Sequence, residues 1–196
     1  MLEIKAKAEG AESTSIKKDG IEKLHDGKEY WNRQSPILFP IVGKLKENKA
    51  IIEDKVYEMG QHGFARDMKF NTIKDEVNSK EYMLETNEET LKKYPYYFEL
   101  KVKYHVKDNT LTVSYEVENK DSKNIFFGIG AHPAFKCDYS TGKYYLEFEK
   151  EENEIGILEL EEGLISKARL KEEILNDNKI YLDENSFEKD AIIMQN

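Results

Sequence analysis

Two of the four histidines fall in segments of unusual build. His132 closes the run Phe126-Phe127-Gly128-Ile129-Gly130-Ala131 and is followed by Pro133-Ala134-Phe135. His62 lies in Gln61-His62-Gly63-Phe64-Ala65-Arg66-Asp67. Imidazole gives and takes protons near neutral pH, with an unperturbed pKa of roughly 6.5, so a pair of them suits general acid–base work. In an extended run from Ile125, the residues Phe126, Gly128, Gly130 and His132 share one face. Glycine weakens a strand interior, so two on one face imply either open space for a ligand beside His132 or a bulge with tight packing. Gly63 permits an unusual backbone angle directly after His62. If that run is extended, His62, Phe64 and Arg66 share a face. An imidazole, a ring and a guanidinium together suit a sugar, which offers C–H faces to pack and hydroxyls to bond. A surface loop with an Arg66–Asp67 charge pair is the plainer alternative.

The elements that must position these segments are mostly strands. Tyr and Phe are plentiful, Pro is scarce, and apolar alternation recurs. Phe98, Leu100, Val102, Tyr104 and Val106 line one face of a strand, and His105 lies on the opposite, solvated face among lysines. A turn at Asp108-Asn109 leads to a return strand with Leu111, Val113, Tyr115 and Val117 inward. Leu2 to Lys7 and Glu12 to Ile16 read as an opening pair. Ile37 to Val42, apolar on both faces, reads as a buried strand. Ala50 to Glu53 and Val56 to Met59 form a small hairpin. Met68 to Val77 and Glu81 to Thr86 flank a turn at Asn78-Ser79. Tyr144 to Glu149 and Ile155 to Leu160 follow. Asn87 to Tyr94 alone reads as helical, with Asn87 as its cap, Glu88 and Glu89 at its positive end, and Lys92 and Lys93 at its negative end. The expected class is all-β, with antiparallel sheets packed face to face in one domain spanning 1–196.

Composition bounds the function. A chain of 196 residues can bury a sizeable core. A net charge of −9 argues against a nucleic-acid partner. The single cysteine, Cys137, allows no internal disulfide, which suits a reducing cytoplasm, and no base adjoins it in sequence. The start carries no signal-peptide pattern, and no apolar run reaches membrane-spanning length, so no membrane partner is expected. His25, in Leu24-His25-Asp26-Gly27, reads as a loop histidine at a turn.

Three segments in order carry a resemblance. They are Tyr30-Trp31-Asn32-Arg33-Gln34-Ser35-Pro36-Ile37-Leu38-Phe39-Pro40-Ile41-Val42-Gly43-Lys44-Leu45, then the His62 heptapeptide, then His132-Pro133-Ala134-Phe135. Together they resemble the aldose 1-epimerase (galactose mutarotase-like) family, most closely its LacX-type branch, from about Glu3 onward. The resemblance implies an antiparallel β-supersandwich and an isomerase that interconverts the α and β anomers of a small-molecule aldose. In that chemistry a base takes the anomeric hydroxyl proton while an acid protonates the ring oxygen. By resemblance, His132 is the acid, and His62 holds and polarises the sugar. Lys44 stands where many relatives have a sugar-binding Arg. Arg66 resembles the Arg that serves the phosphate in relatives acting on hexose 6-phosphates; here it binds sugar or supports His62. Arg33 is a further substrate-binding candidate, and Trp31 is either a stacking platform or a packed core residue.

Relatives carry the base, a Glu in a Glu-Pro-Trp-like strand, beyond the point where this sequence stops. The expectation is therefore an incomplete supersandwich that lacks the C-terminal strands and begins slightly late, with open edges prone to self-association. A truncated, non-catalytic sugar-binding domain is the alternative to an active isomerase, and a hexose-6-phosphate mutarotase is another. No cofactor is implied. A metal site on His62 and His132 ranks last, since no short-range ligand pair such as His-x-x-x-His is present.

Overall fold

A computed structural model describes residues 1–28, 31–152, 154–175, 177–188 and 191–195. The chain divides into two compact units, Met1–Lys136 and Cys137–Asn196. In the first unit, β1 (Leu2–Ala6) pairs antiparallel with β2 (Ser13–Lys18), which turns into β3 (Ile21–Glu22). After β4 (Ile37–Leu38) comes the hairpin of β5 (Lys49–Ile52) and β6 (Lys55–Glu58). Then β7 (Asn71–Glu76), β8 (Ser79–Glu85), β9 (Phe98–Lys107) and β10 (Thr110–Asn119) form an antiparallel sheet in the order β10-β9-β8-β7. β11 (Gly130–Ala131) pairs with β4.

Alternation builds the central strand. Phe98, Leu100, Val102, Tyr104 and Val106 are all buried, while His105 on the other face is exposed. Each such fully buried apolar side chain contributes roughly 1.5–3 kcal/mol. The return strand obeys the same rule at Leu111, Tyr115 and Val117, which pack on the core, but Val113 is exposed. The core lies between this sheet and a layer made of β1 and the segments around Phe39 and Phe64. α1 (Glu88–Lys93) links β8 to β9. Its cap is the expected one: Asn87 Oδ1 accepts from the Glu89 and Thr90 amides at 2.9 and 3.0 Å, and Thr90 Oγ1 accepts from the Asn87 amide.

The second unit pairs β12 (Tyr145–Glu147) with β15 (Lys179–Tyr181), and β13 (Glu154–Glu161) with both β14 (Leu164–Ile174) and β16 (Ile193–Gln195). Among the described residues the chain is nearly all-β, with one short α-helix and brief 3₁₀ turns. Among the described residues no helix is long and apolar enough to cross a membrane.

Several expected elements are shorter or shifted. The buried strand from Ile37 ends at Leu38. Phe39 then bridges in parallel to Gly63, Phe39–Pro40 is a cis peptide, and Val42 is 55% exposed. Proline has no N–H with which to continue the ladder. From Ile125 to His132 only Gly130 and Ala131 are in a strand. The β7–β8 turn falls at Val77-Asn78 rather than Asn78-Ser79.

Candidate functional site

The His62 segment is not extended. His62 and Gly63 both adopt left-handed angles, φ +67° and +72°, and Ala65–Asp67 forms a 3₁₀ turn. The expected shared face of His62, Phe64 and Arg66 is therefore not made. Phe64 turns into the core, and His62 is left half-buried. The turn is forced by proximity: a Cβ on Gly63 would lie 2.1 Å from the Phe39 carbonyl oxygen. That oxygen accepts from the Phe64 and Ala65 amides at 2.9 and 3.1 Å. A histidine held at positive φ is uncommon, and such backbone is often found where a side chain must be aimed.

Main chain also fixes the ring. The Gly43 amide donates to His62 Nδ1 at 3.2 Å, and the His62 amide donates to the Gly43 carbonyl at 2.7 Å. An amide N–H can only donate, so Nδ1 offers its lone pair. In the neutral ring the proton then sits on Nε2, making that atom the donor.

His132 comes from the other segment. Its amide donates to the Pro36 carbonyl at 3.1 Å, and the Ala134 amide to the Gln34 carbonyl at 2.8 Å, which extends the β4–β11 pairing past its regular part. The His132 ring centroid lies 5.3 Å from that of His62, with the planes at 41°. On another side Trp31 meets His132 edge-on at 5.0 Å. Trp31 is half-buried, so it is neither an open platform nor a sealed core residue. The separation of the imidazoles lets one small polyhydroxylated ring touch both.

The glycines beside His132 have a different use from the ligand space considered for them. A Cβ on Gly130 would come within 3.2 Å of Val42 Cγ2, and one on Gly128 within 3.5 Å of the Val42 amide. The 40–42 segment lies over both glycines, and at Gly130 the approach is close enough to favour a missing side chain, the other expectation; at Gly128 it is an ordinary contact.

The cations sit around the His62 loop. Arg66 Nη2 donates to the Gln61 carbonyl at 2.9 Å, and its Nε is buried with no hydrogen-bond partner. Burial, then the like charge of Arg33, lowers the Arg66 guanidinium from its ordinary value, and Asp67 opposes both. Arg33 Nη1 donates to the Arg66 carbonyl at 3.2 Å, and Nη2 pairs with Asp67 at 2.5 Å. Two guanidiniums thus share one carboxylate and brace the loop. Lys44 is half-buried and directly follows Gly43, which clasps His62.

Two supporting residues escaped the sequence. His25 Nε2–H donates to the Trp31 carbonyl at 3.0 Å, and the His25 amide to the Ala134 carbonyl at 2.8 Å, so this loop histidine ties Trp31 to the His132 segment. Its position in a turn gave no sign of this. Buried Glu12 is the other; a lone acid at the start of an amphipathic strand carries no signal in sequence. Cys137 is half-buried, and burial pushes its thiol up, which disfavours the reactive thiolate. Among the described residues, no group of three or more His, Cys, Asp or Glu is gathered as a metal would need.

The sequence profile of the family described as aldose 1-epimerase matches residues 2–187, and this chain belongs to that family. Within it, the chain is similar to the chromosomal and plasmid LacX proteins of Lactococcus lactis subsp. lactis. Each is 34% identical over 206 residues, covering 98% of this chain and 69% of the relative. A galactose mutarotase related enzyme from Lactobacillus acidophilus superposes with a TM-score of 0.85 at 31% identity, over 99% of this chain and 66% of the other. A galactose mutarotase-like protein from Lactobacillus casei ATCC 334 gives 0.74 at 30% identity, over 92% and 64%. The chain therefore spans about two thirds of the length of these relatives.

Proposed function

We propose that this chain carries the acid-bearing part of an aldose 1-epimerase, which opens and recloses an aldose ring to exchange its α and β anomers. The observation that carries this is the pair of imidazoles with centroids 5.3 Å apart. His132 acts as the acid at the ring oxygen. His62, presenting Nε2–H, donates to the neighbouring oxygen and polarises it. Protonating the ring oxygen makes it a better leaving group from C1; the C1–O bond breaks as the anomeric hydroxyl passes its proton to water, and the open-chain aldehyde recloses on the other face after rotation about C1–C2. Lys44, Arg66 and Arg33 are the candidate substrate contacts; for both arginines the bonds to the His62 loop favour support over direct sugar binding. No residue here is assigned the role of the base at the anomeric hydroxyl.

We take both units as parts of one supersandwich domain, working on a small-molecule aldose in a reducing cytoplasm. No nucleic acid, membrane or cofactor enters the proposal. Self-association through open strand edges is an accompanying expectation. The second reading is a sugar-binding domain without turnover. Turnover separates the two readings, since one positioned proton-transfer group contributes roughly 10²–10⁴-fold to catalysis. Polarimetry on freshly dissolved α-glucose, α-galactose and their 6-phosphates separates these readings. The expected result is weak or no acceleration by residues 1–196 alone, with brisk mutarotation in a version extended to the length of its relatives. Brisk activity of this chain, lost in His132→Ala, would show that a residue present here acts as base. No acceleration by the extended version would sink the epimerase proposal.

A further inference from the structure

Glu12 is 1% exposed, yet it is a carboxylate. Burying such a group costs several kcal/mol unless it is paired and hydrogen-bonded. Lys7 Nζ, at 2.6 Å from Oε2, provides the pairing. The other oxygen goes elsewhere. Oε1 accepts from the backbone amides of Gln34 and Ser35 at 2.7 and 3.1 Å. The carbonyls of this stretch pair with residues 132–134, but the Gln34 and Ser35 amides turn the other way, and sequestered N–H groups must find an acceptor.

The gripped segment leads directly to one imidazole. The Gln34 carbonyl takes the Ala134 amide, the Pro36 carbonyl takes the His132 amide, and Trp31 lies edge-on to the His132 ring. On its other side Glu12 leads to the second imidazole. It follows Gly10 and Ala11, both left-handed at φ +69° and +47°. The Gly10 amide donates to the Met68 carbonyl at 2.7 Å, and a Cβ on Gly10 would fall 2.5 Å from the Arg66 carbonyl oxygen. The turn at residues 8–12 therefore abuts the stretch that follows His62 while its carboxylate grips the stretch that holds His132.

We propose that Glu12 is a positioning residue that sets the His62–His132 separation by fixing the Gln34–Ser35 backbone. Touching neither ring, it works through two amides. The inference deepens the reading that both imidazoles serve one ligand.

The test is made on the whole chain without sugar. Imidazole NMR spectra are tractable with four histidines, assigned through His62→Gln and His132→Gln. The wild type is expected to show cross-peaks from His132 to Trp31 and to His62. Glu12→Ala is expected to lose both, with its far-UV circular dichroism unchanged. Glu12→Gln keeps an oxygen able to accept both amides and is expected to retain them. A residue that merely stabilises the fold would lower the melting temperature and leave the cross-peaks of folded Glu12→Ala intact, and that result would overturn the proposal. Should Glu12→Ala fail to fold, Glu12→Asp keeps the charge but shortens the reach by one methylene. Loss of the cross-peaks then supports the proposal, and a wild-type pattern refutes it. Polarimetry does not bear on this outcome, so failure of the sugar reading is seen separately.

Discussion

Replacing Gly63 by alanine should unfold much of what Gly63 allows. Two costs add. A side chain at φ +72° meets the left-handed penalty of about 1–2 kcal/mol. The new Cβ would also stand 2.1 Å from the Phe39 oxygen, 2.4 Å from its carbon and 2.7 Å from the Pro40 nitrogen. These are backbone atoms, so the chains must part by about an ångström to reach ordinary contact. Parting weakens the bonds from the Phe64 and Ala65 amides to that oxygen. Each buried donor left short costs about 1–3 kcal/mol, which brings the total to about 4 kcal/mol, a large share of a typical 5–15 kcal/mol stability. Gly20 is the matched control: its φ is +78° but nothing lies within 4 Å of an added Cβ, so Gly20→Ala should cost only about 1 kcal/mol. Urea denaturation followed by circular dichroism measures both. With a slope of about 2 kcal/mol/M, the two midpoints should differ by about 1.5 M. Equal midpoints would refute the steric reasoning, leaving only the backbone angle.

Asn87→Ala removes the acceptor for two α1 amides and should cost about 1 kcal/mol, read as a lowered thermal midpoint. Burial alone would raise the Glu22 carboxyl, but bonds from Ser15 Oγ and the Leu24, Ile16 and Lys23 amides outweigh it and hold the group below its ordinary value. A carboxyl depressed in the folded state contributes stability above its unfolded value and loses it as pH falls through the folded one. Glu22→Gln should therefore lower the urea midpoint at pH 7, with the gap closing below about pH 4. ¹⁵N NMR of the neutral His62 ring should show the Nε2–H tautomer; an Nδ1–H signal would contradict the Gly43 bond.

How much of this was legible in the sequence depends on the kind of order involved. The β9–β10 hairpin and α1 were, because strict alternation and an Asn cap are local signals. β14 was not. Its one local clue is the Glu162-Gly163 turn, where both residues have positive φ as two-residue hairpin loops favour. At the site, residue types marked both histidine segments, but their geometry was set from outside. The Phe39 carbonyl folded the His62 run into a turn, and Val42 filled the space over Gly128 and Gly130. Such contacts join residues far apart in the chain, where periodicity is silent. Glu12 is the extreme case, since its meaning lies wholly in amides more than twenty positions away.

The clasp between His62 and Gly43 is made mostly of main chain, and this bears on how the site can change over evolutionary time. An imidazole aimed by peptide groups does not depend on the identity of its neighbours' side chains. Position 44, directly after Gly43, can drift in size and charge while the ring keeps its aim, whereas Val42 is held to its size by the packing over Gly130. The ring holds its direction while the side chains around it change.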